Sequence, residues 1–476
     1  MLSTKRLTPI LLAVFLLLAT IFFLNTPSHP SIPLGSKDAA VEAPHNGNGQ
    51  KPGNVPATVE VKPALGVAPP SGDSKSEAAG TKPSAPAVKD KKPAVSKGPV
   101  TYDKTTPPTV GCEDIVHDLQ RRIIEAYQTQ LKGIRYANIF GYLETENKGD
   151  AAIWSAQQIL LSMMGINFME ACRFTDKECD LAKYRGALEA HKGHSAILIA
   201  GGGNFNDFYW EDQPSRMKMV ETFPDFPIRS FPQSVYMTHE DRIEATKKAF
   251  GSHSDLQLAA RDQPSFDWLE NTFGPNAQGV QPNKVRRILT PDIAFMWGSR
   301  PDFRINTNKT HNILILARDD WEVSSGDSSA IPMGPGEFDL GGLVGKVTYN
   351  KVDWKFTNTP DINPTVITNA DGTTTTVGEK EEGKNQRAWA KAIAGFEMLG
   401  SADFIITDRL HGHIMSTLIG TPHVLMDSKL KKNLNFHDTW TKDCGCTRVA
   451  DNIEEAKNFA RMFFENKKKE AAKGHA

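Results

Sequence analysis

Cysteine is scarce, with 5 in 476 residues, and no two of them form a Cys-x-x-Cys pair. That excludes a disulfide-framework protein and announces no zinc site. A dominant sign of charge is missing too. The 55 Lys and Arg against 56 Asp and Glu leave a net charge of −1, so nothing draws the chain in bulk to a nucleic-acid backbone. Proline is unevenly spread: fifteen of the 30 lie between Asn25 and Val110, a stretch with Tyr102 as its one aromatic residue. Such a stretch cannot bury enough apolar surface to offset its ordering entropy, and it reads as a disordered stem.

Long apolar runs are absent except at the start. Lys5 and Arg6 precede a run from Leu7 to Leu24, broken by Thr8, Pro9 and Thr20. At 1.5 Å per residue it spans roughly 27 Å, just enough for a bilayer core. A cleaved signal peptide is the competing reading, but the run is long for that role and Leu24-Asn25-Thr26-Pro27 is a poor cleavage site. Basic residues before the span, and none until Lys37 after it, orient the rest of the chain towards a lumen. The expected layout is a cytosolic tail (1–6), a transmembrane anchor (7–24), a stem (25–110) and two α/β units, 111–300 and 301–476. The sequon Asn308-Lys309-Thr310 is compatible with a lumenal, glycosylated address.

From Cys112 onward, short apolar runs alternate with amphipathic segments. Strands are predicted at Tyr136–Leu143, Ile166–Ala171, Ala196–Ala200, Ile228–Phe231, Leu256–Ala260 and Ile288–Leu289, then at Ile313–Ala317, Phe404–Thr407 and His423–Met426. Helices are predicted at Ala151–Met164, His239–Phe250, Pro264–Thr272 and Arg387–Leu399, after His413, and at about Ile453–Lys469, the last packing back across the first unit. This alternation argues for parallel sheets covered on both faces. The Gly-, Thr- and charge-rich text from Val323 to Gly383 reads as an insertion outside the core.

In open parallel sheets ligands bind beyond the carboxyl ends of the strands, and the chemically informative residues fall there. Asn147-Lys-Gly-Asp150 opens a helix, with Asp150 able to cap it or to present a carboxylate. Gly201, Gly202 and Gly203 let backbone N–H groups approach an anion, and Asn204 follows them. Gln233 and Ser234 end another strand. Arg261 and Arg318 each follow a strand and precede an Asp, so each could grip an anion or simply pair with a neighbouring carboxylate. Thr407-Asp-Arg409-Leu-His411-Gly-His413 sets a permanent cation beside imidazoles, which titrate near neutrality, at a helix start whose dipole favours anions. A metal on His411 and His413 is disfavoured, because no further ligand spacing accompanies them and Arg409 would repel a cation. Cys172 and Cys179 bracket a short loop and could pair, leaving Cys112 unpaired.

Taken together, Asn147-Lys-Gly-Asp150, Gly201-Gly-Gly-Asn204, Phe231-Pro-Gln-Ser234, Ala260-Arg-Asp262 through Ser265 and Thr407-Asp-Arg-Leu-His-Gly412 resemble the polysaccharide pyruvyl transferase family. The anchor and stem make the chain similar to its fungal, Golgi-located, type II membrane branch. The resemblance implies a GT-B-like fold, with two Rossmann-like domains facing a cleft. It implies transfer of the enolpyruvyl group of phosphoenolpyruvate, with no cofactor, onto a terminal galactose of a glycan as a 4,6-ketal with release of phosphate. It also implies His411 and Asp150 as acid and base in either order. Arg261, Arg318 and Arg409 would hold the donor, helped by Asn147, Gly202, Gly203, Asn204, Gln233, Ser234 and His413. A GT-B-like glycosyltransferase using a nucleotide sugar, or a carbohydrate-binding protein without activity, would share the anchor and the anion site.

Overall fold

Apolar runs of about five residues, rich in Ile, Leu and Val, are too short for helices and demand burial on both faces. In the computed structural model they do form such strands. The structure describes residues 101–473, apart from 144, 175–178, 279–283, 324–330, 355–364, 369–373 and 378–380. The expected tail, the anchor and the stem as far as residue 100 lie outside the described residues. Among the described ones, no helix is long and apolar enough to cross a membrane.

The first sheet comprises β1 (Tyr136–Phe140), β2 (Asn167–Cys172), β3 (Ser195–Ile199), β4 (Gly202–Asn206), β5 (Ile228–Ser230), β6 (Gln233–Tyr236), β7 (Leu256–Ala260) and β8 (Val285–Leu289). Their order is β2-β1-β3-β5-β7-β6-β4, with β8 running along β7, and every pairing is parallel. The second sheet contains β9 (His311–Leu316), β10 (Gly334–Asp339), β11 (Lys346–Val352), β14 (Ala402–Thr407), β15 (His423–Leu425) and β16 (Thr447–Val449). Its order is β10-β11-β9-β14-β15-β16, parallel except at the β10 edge. A separate hairpin joins β12 (Thr365–Thr368) to β13 (Thr374–Val377).

Each sheet has an apolar cluster of its own, and a third is shared between them. The shared cluster draws on the helices Glu113–Gln130, Lys148–Met163, Glu381–Gly400 and Leu410–Ile419. Ala151, Ala152 and Ala156 put small residues on the second of these, and Gly395 lets the third come close. A Cβ at Gly395 would lie 2.9 Å from Lys148 Cβ and 3.0 Å from the Met415 methyl. Trp297, Trp389 and Phe396 fill the layer with ring centroids 4.4 and 5.1 Å apart. Full burial of a side chain such as Phe396 contributes about 1.5–3 kcal/mol.

Four expectations change. The segment read as an insertion contains β10 and β11, and β11 pairs with the central β9. Val347 and Tyr349 alternate inward along it, so the strand carries a period-2 pattern that the surrounding Gly and Thr obscured. The C-terminal helix, Ile453–Lys473, packs on the second sheet and not the first. Its stripe of Ala456, Phe459, Ala460 and Phe464 meets Ile313, Phe404 and Val424. The last ten stem residues are attached to the second sheet: Tyr102 donates to Asp438 at 2.9 Å, Lys104 to the Val449 carbonyl at 3.0 Å, and the Thr109 N–H to the Gly445 carbonyl at 2.9 Å. Cys112 is paired, with Cys444, beside the Cys172–Cys179 disulfide that its spacing suggested, and Cys446 is the buried free thiol. Asn308 lies exposed ahead of β9.

Candidate active site

The carboxyl ends of β1, β3, β7, β9 and β14 converge on a cavity of about 400 Å³. Asn147, Asp150, Gly203, Asn204, Arg261, Arg318, Arg409 and His411 line it, so eight of the residues chosen from sequence meet in one place. Asn147 caps the helix that follows β1, its Oδ1 accepting from the Gly149 N–H at 3.0 Å. Asp150 stands in the first turn and accepts from Thr145 Oγ1 at 2.9 Å. Gly149 is required by contact: a Cβ there would sit 2.7 Å from His411 Nδ1. This glycine brings the Asp150 turn against the His411 turn.

Arg261 leaves the end of β7 with its guanidinium buried and specified on two sides. Nε donates to Ser234 Oγ at 2.9 Å and Nη1 to Asp292 Oδ2 at 2.8 Å. Nη2 has no hydrogen-bond partner among the described residues and points past the glycine turn, where a Cβ on Gly203 would approach it to 2.8 Å. Asp292 is fully buried and lies 3.5 Å from His411 Nε2, an electrostatic contact too long for a good hydrogen bond. Burial alone would raise the Asp292 carboxyl. The charges of His411 and Arg261 and the Ala294 N–H outweigh it and hold the group well below the ordinary carboxylate range. Asp292 therefore stays ionised behind the imidazole.

The cations of the second sheet are paired more completely. Arg409 meets Asp353 at 2.5 Å and Asp320 at 3.5 Å, while its buried Nε has no partner among the described residues. Arg318 is held by Asp320 at 2.9 Å and Glu322 at 3.0 Å. Lys432 pairs with Glu322, and burial lowers its ammonium to about 8 despite that carboxylate. Tyr209 also donates to Glu322, at 2.9 Å. Asp408, in the strand-to-helix turn itself, is pushed up to about 6 by burial, against the Arg318 N–H and nearby guanidinium charges.

Four chosen residues stand outside the lining. Ser234 and Gln233 act behind it, Ser234 on Arg261 and Asp262, Gln233 on the Ala200 carbonyl. Gly202 supplies a φ of +138° to the turn that opens β4. His413 is a correction. It is fully buried, with Nδ1 2.8 Å from His423 Nε2 and Nε2 2.8 Å from Thr441 Oγ1. The helix begins at Leu410, earlier than predicted, so His411 and His413 are about 200° apart around its axis and cannot share a face. Sequence reasoning missed Asp292, Asp320, Glu322, Asp353 and Lys432. Asp320 was visible beside Arg318, whereas nothing local marked the others.

The family model described as polysaccharide pyruvyl transferase matches residues 135–337 and 362–429, which include every residue of the cavity lining but Trp354 and Lys432. Pyruvyl transferase 1 of Schizosaccharomyces pombe is 31% identical over 377 residues, spanning 78% of this chain and 84% of that one. The chain belongs to the polysaccharide pyruvyl transferase family. More distant relatives in Bacillus subtilis are the protein EpsO, 27% identical over 55% of this chain and 74% of its own, and general stress protein 30, 22% identical over 67% and 82%. Within the family match, the interruption at 338–361 falls on β11 and on Asp353, the partner of Arg409.

Proposed function

We propose that this transferase moves the enolpyruvyl group of phosphoenolpyruvate onto a terminal sugar, galactose by resemblance, of a glycan in the Golgi lumen. The convergence of Arg261, Arg409, His411 and Asp150 on one cavity carries the reading. A donor with a carboxylate and a phosphate suits planar guanidinium groups, and the free Nη2 of Arg261 and Nε of Arg409 offer the unfilled donors.

The chemistry then follows from the placement. A proton from His411 to the donor methylene carbon makes it a methyl group and leaves an oxocarbenium-like centre at the neighbouring carbon. A sugar hydroxyl attacks that centre and gives its proton to Asp150. Loss of phosphate regenerates the electrophile, and a second hydroxyl of the same sugar closes the ketal. One proton is taken up and two are released, one of them leaving with phosphate. Asp292 places a fixed negative charge 3.5 Å behind His411 Nε2, and in this reading His411 is the acid and Asp150 the base.

Incubating residues 101–476 with lactose and phosphoenolpyruvate tests it. Stoichiometric phosphate release together with a disaccharide heavier by the pyruvate ketal is expected. Release of nucleotide from a nucleotide sugar instead would assign the site to a glycosyltransferase. The lumenal Golgi address is tested by protease protection of the C-terminus in intact vesicles, and digestion there would overturn it.

A further inference from the structure

Among the described residues, the three large aromatic side chains that are close to half exposed all stand in one stack. Phe208, Tyr236 and Trp321 are 46%, 48% and 45% exposed. Phe208 lies between the other two, its ring centroid 5.9 Å from Tyr236 at 15° and 4.9 Å from Trp321 at 33°. Tyr209 adds a fourth ring 6.0 Å from Trp321, and both Tyr209 and Trp321 also line the cavity. The stack therefore starts at the lip of the site and runs outward, with rings from the end of β6 and from the segments that follow β4 and β9.

Exposed aromatic surface is costly in water, yet the turn that carries Phe208 and Tyr209 is tightly hydrogen-bonded. Asn206 Oδ1 accepts the N–H groups of Phe208 and Tyr209 at 2.9 and 3.0 Å. Asp207 accepts from the Thr238 N–H at 2.6 Å, and Arg242 donates to the Asp207 carbonyl at 2.8 Å. Tyr209 is anchored through its hydroxyl on Glu322. Preorganised rings spare a ligand the cost of ordering them.

We infer that Phe208, Tyr236 and Trp321 form a carbohydrate platform, on which the apolar face of a neutral pyranose behind the reacting sugar of the acceptor rests. This rests on the proposed function and adds the location of the acceptor chain. A pyranose has one C–H-rich face that matches the electron-rich face of an aromatic ring, and hydroxyl groups around its edge. The neighbouring Asp320 and Asp212 carboxylates on the cavity wall can accept from such hydroxyls. An anionic ligand has no comparable reason to lie here. Among the described residues no Arg or Lys lies over any of the three rings, whereas Arg242 covers Trp210 nearby at 4.7 Å.

The test uses lactose binding followed by saturation-transfer NMR and calorimetry, and phosphoenolpyruvate binding measured separately. Phe208→Ala and Trp321→Ala should each weaken lactose about tenfold, one ring's stacking energy converted to affinity. Trp321→Phe should recover part of the loss, and Phe208→Ala should bind phosphoenolpyruvate as before. Unchanged lactose affinity in both alanine variants would overturn the platform, as would uridine displacing lactose from it. Ring-dependent lactose binding without any use of phosphoenolpyruvate would keep the platform and remove the proposed donor, so the two readings fail separately.

Discussion

Arg261 and Arg409 are both buried guanidinium groups at the end of a parallel strand, yet the two sheets treat them differently. The first sheet fixes Arg261 with one hydroxyl and one deep carboxylate, and leaves a whole amino group open to the cavity. The second surrounds Arg409 and Arg318 with Asp320, Glu322 and Asp353, so the charge on that wall is nearly cancelled before any ligand arrives. A buried pair gains little net stability, but removing one partner exposes the full cost of the other. Under the proposed function, the first wall is the one that receives an anion. The second receives one only by competing with carboxylates, which gives it leverage over which anion is accepted.

The strongest way to break this comparison is at the residue where the walls meet. His411 belongs to the second sheet but faces Asp292 from the first. His411→Gln should lower the single-turnover rate at saturating donor by about 10²–10⁴-fold with donor affinity little changed. Loss of affinity with an intact chemical step would make His411 a binding group and pass the acid role to Asp150. His413→Gln should do the opposite, lowering the melting temperature while sparing the rate constant. Next in size, Arg409→Lys replaces a planar fork with a point charge. It should cost about 1.5–3 kcal/mol, or roughly ten- to a hundredfold in kcat/KM for phosphoenolpyruvate. Wild-type kinetics there would show that Arg409 serves only Asp353.

Acid should separate the walls as well. His413, His423 and His437 are buried in and around β15 with their imidazoles lowered by burial, and in His413 and His437 also by neighbouring histidine charge, to about 4 for His423 and about 3 for His437. They fold neutral, while the unfolded chain takes up protons below about pH 6.5. Stability is therefore untouched above that pH and falls as the pH drops from 6.5 towards the folded values. The loss is on the order of 1 kcal/mol per imidazole for each pH unit. Melts at pH 7.5 and 5.5, with His423→Asn flattening the difference, check it. The smallest effect belongs to Ser234→Ala, which removes one hydrogen bond from Arg261. A severalfold rise in donor KM is expected, corresponding to about 0.5–1.5 kcal/mol. No change would show that Asp292 alone positions the guanidinium.

The same asymmetry explains what could be read in the sequence. The first-sheet residues chosen from sequence, Asp150, Gly203, Asn204 and Arg261, sit within a few positions of a buried strand and a glycine or proline, so local punctuation revealed them. The partners on the second wall come from far along the chain. Asp353 is 56 residues from Arg409, and Lys432 is 110 from Glu322. No window-based pattern connects them, and Asp353 follows a strand whose apolar alternation is diluted by Lys, Asn and Thr. Short strands also escaped where glycine or a polar pair begins them, as with β4 and β6. His413 was misplaced for a simpler reason: spacing of two is one face in a strand and opposite faces in a helix.

The bond between Cys112 and Cys444 joins residues 332 positions apart, at the point where the chain enters the fold. It makes this entry mechanically redundant. A tug applied at residue 101 is shared among the Tyr102, Lys104 and Thr109 contacts and then passes through sulfur into the loop before β16. The helix Glu113–Gln130 lies downstream of that clamp, so it carries none of the load and keeps its place against the shared core. Reduction would reroute the same force into that helix, so pulling on single molecules with and without reductant should show the first yielding element change from the β16 loop to the helix.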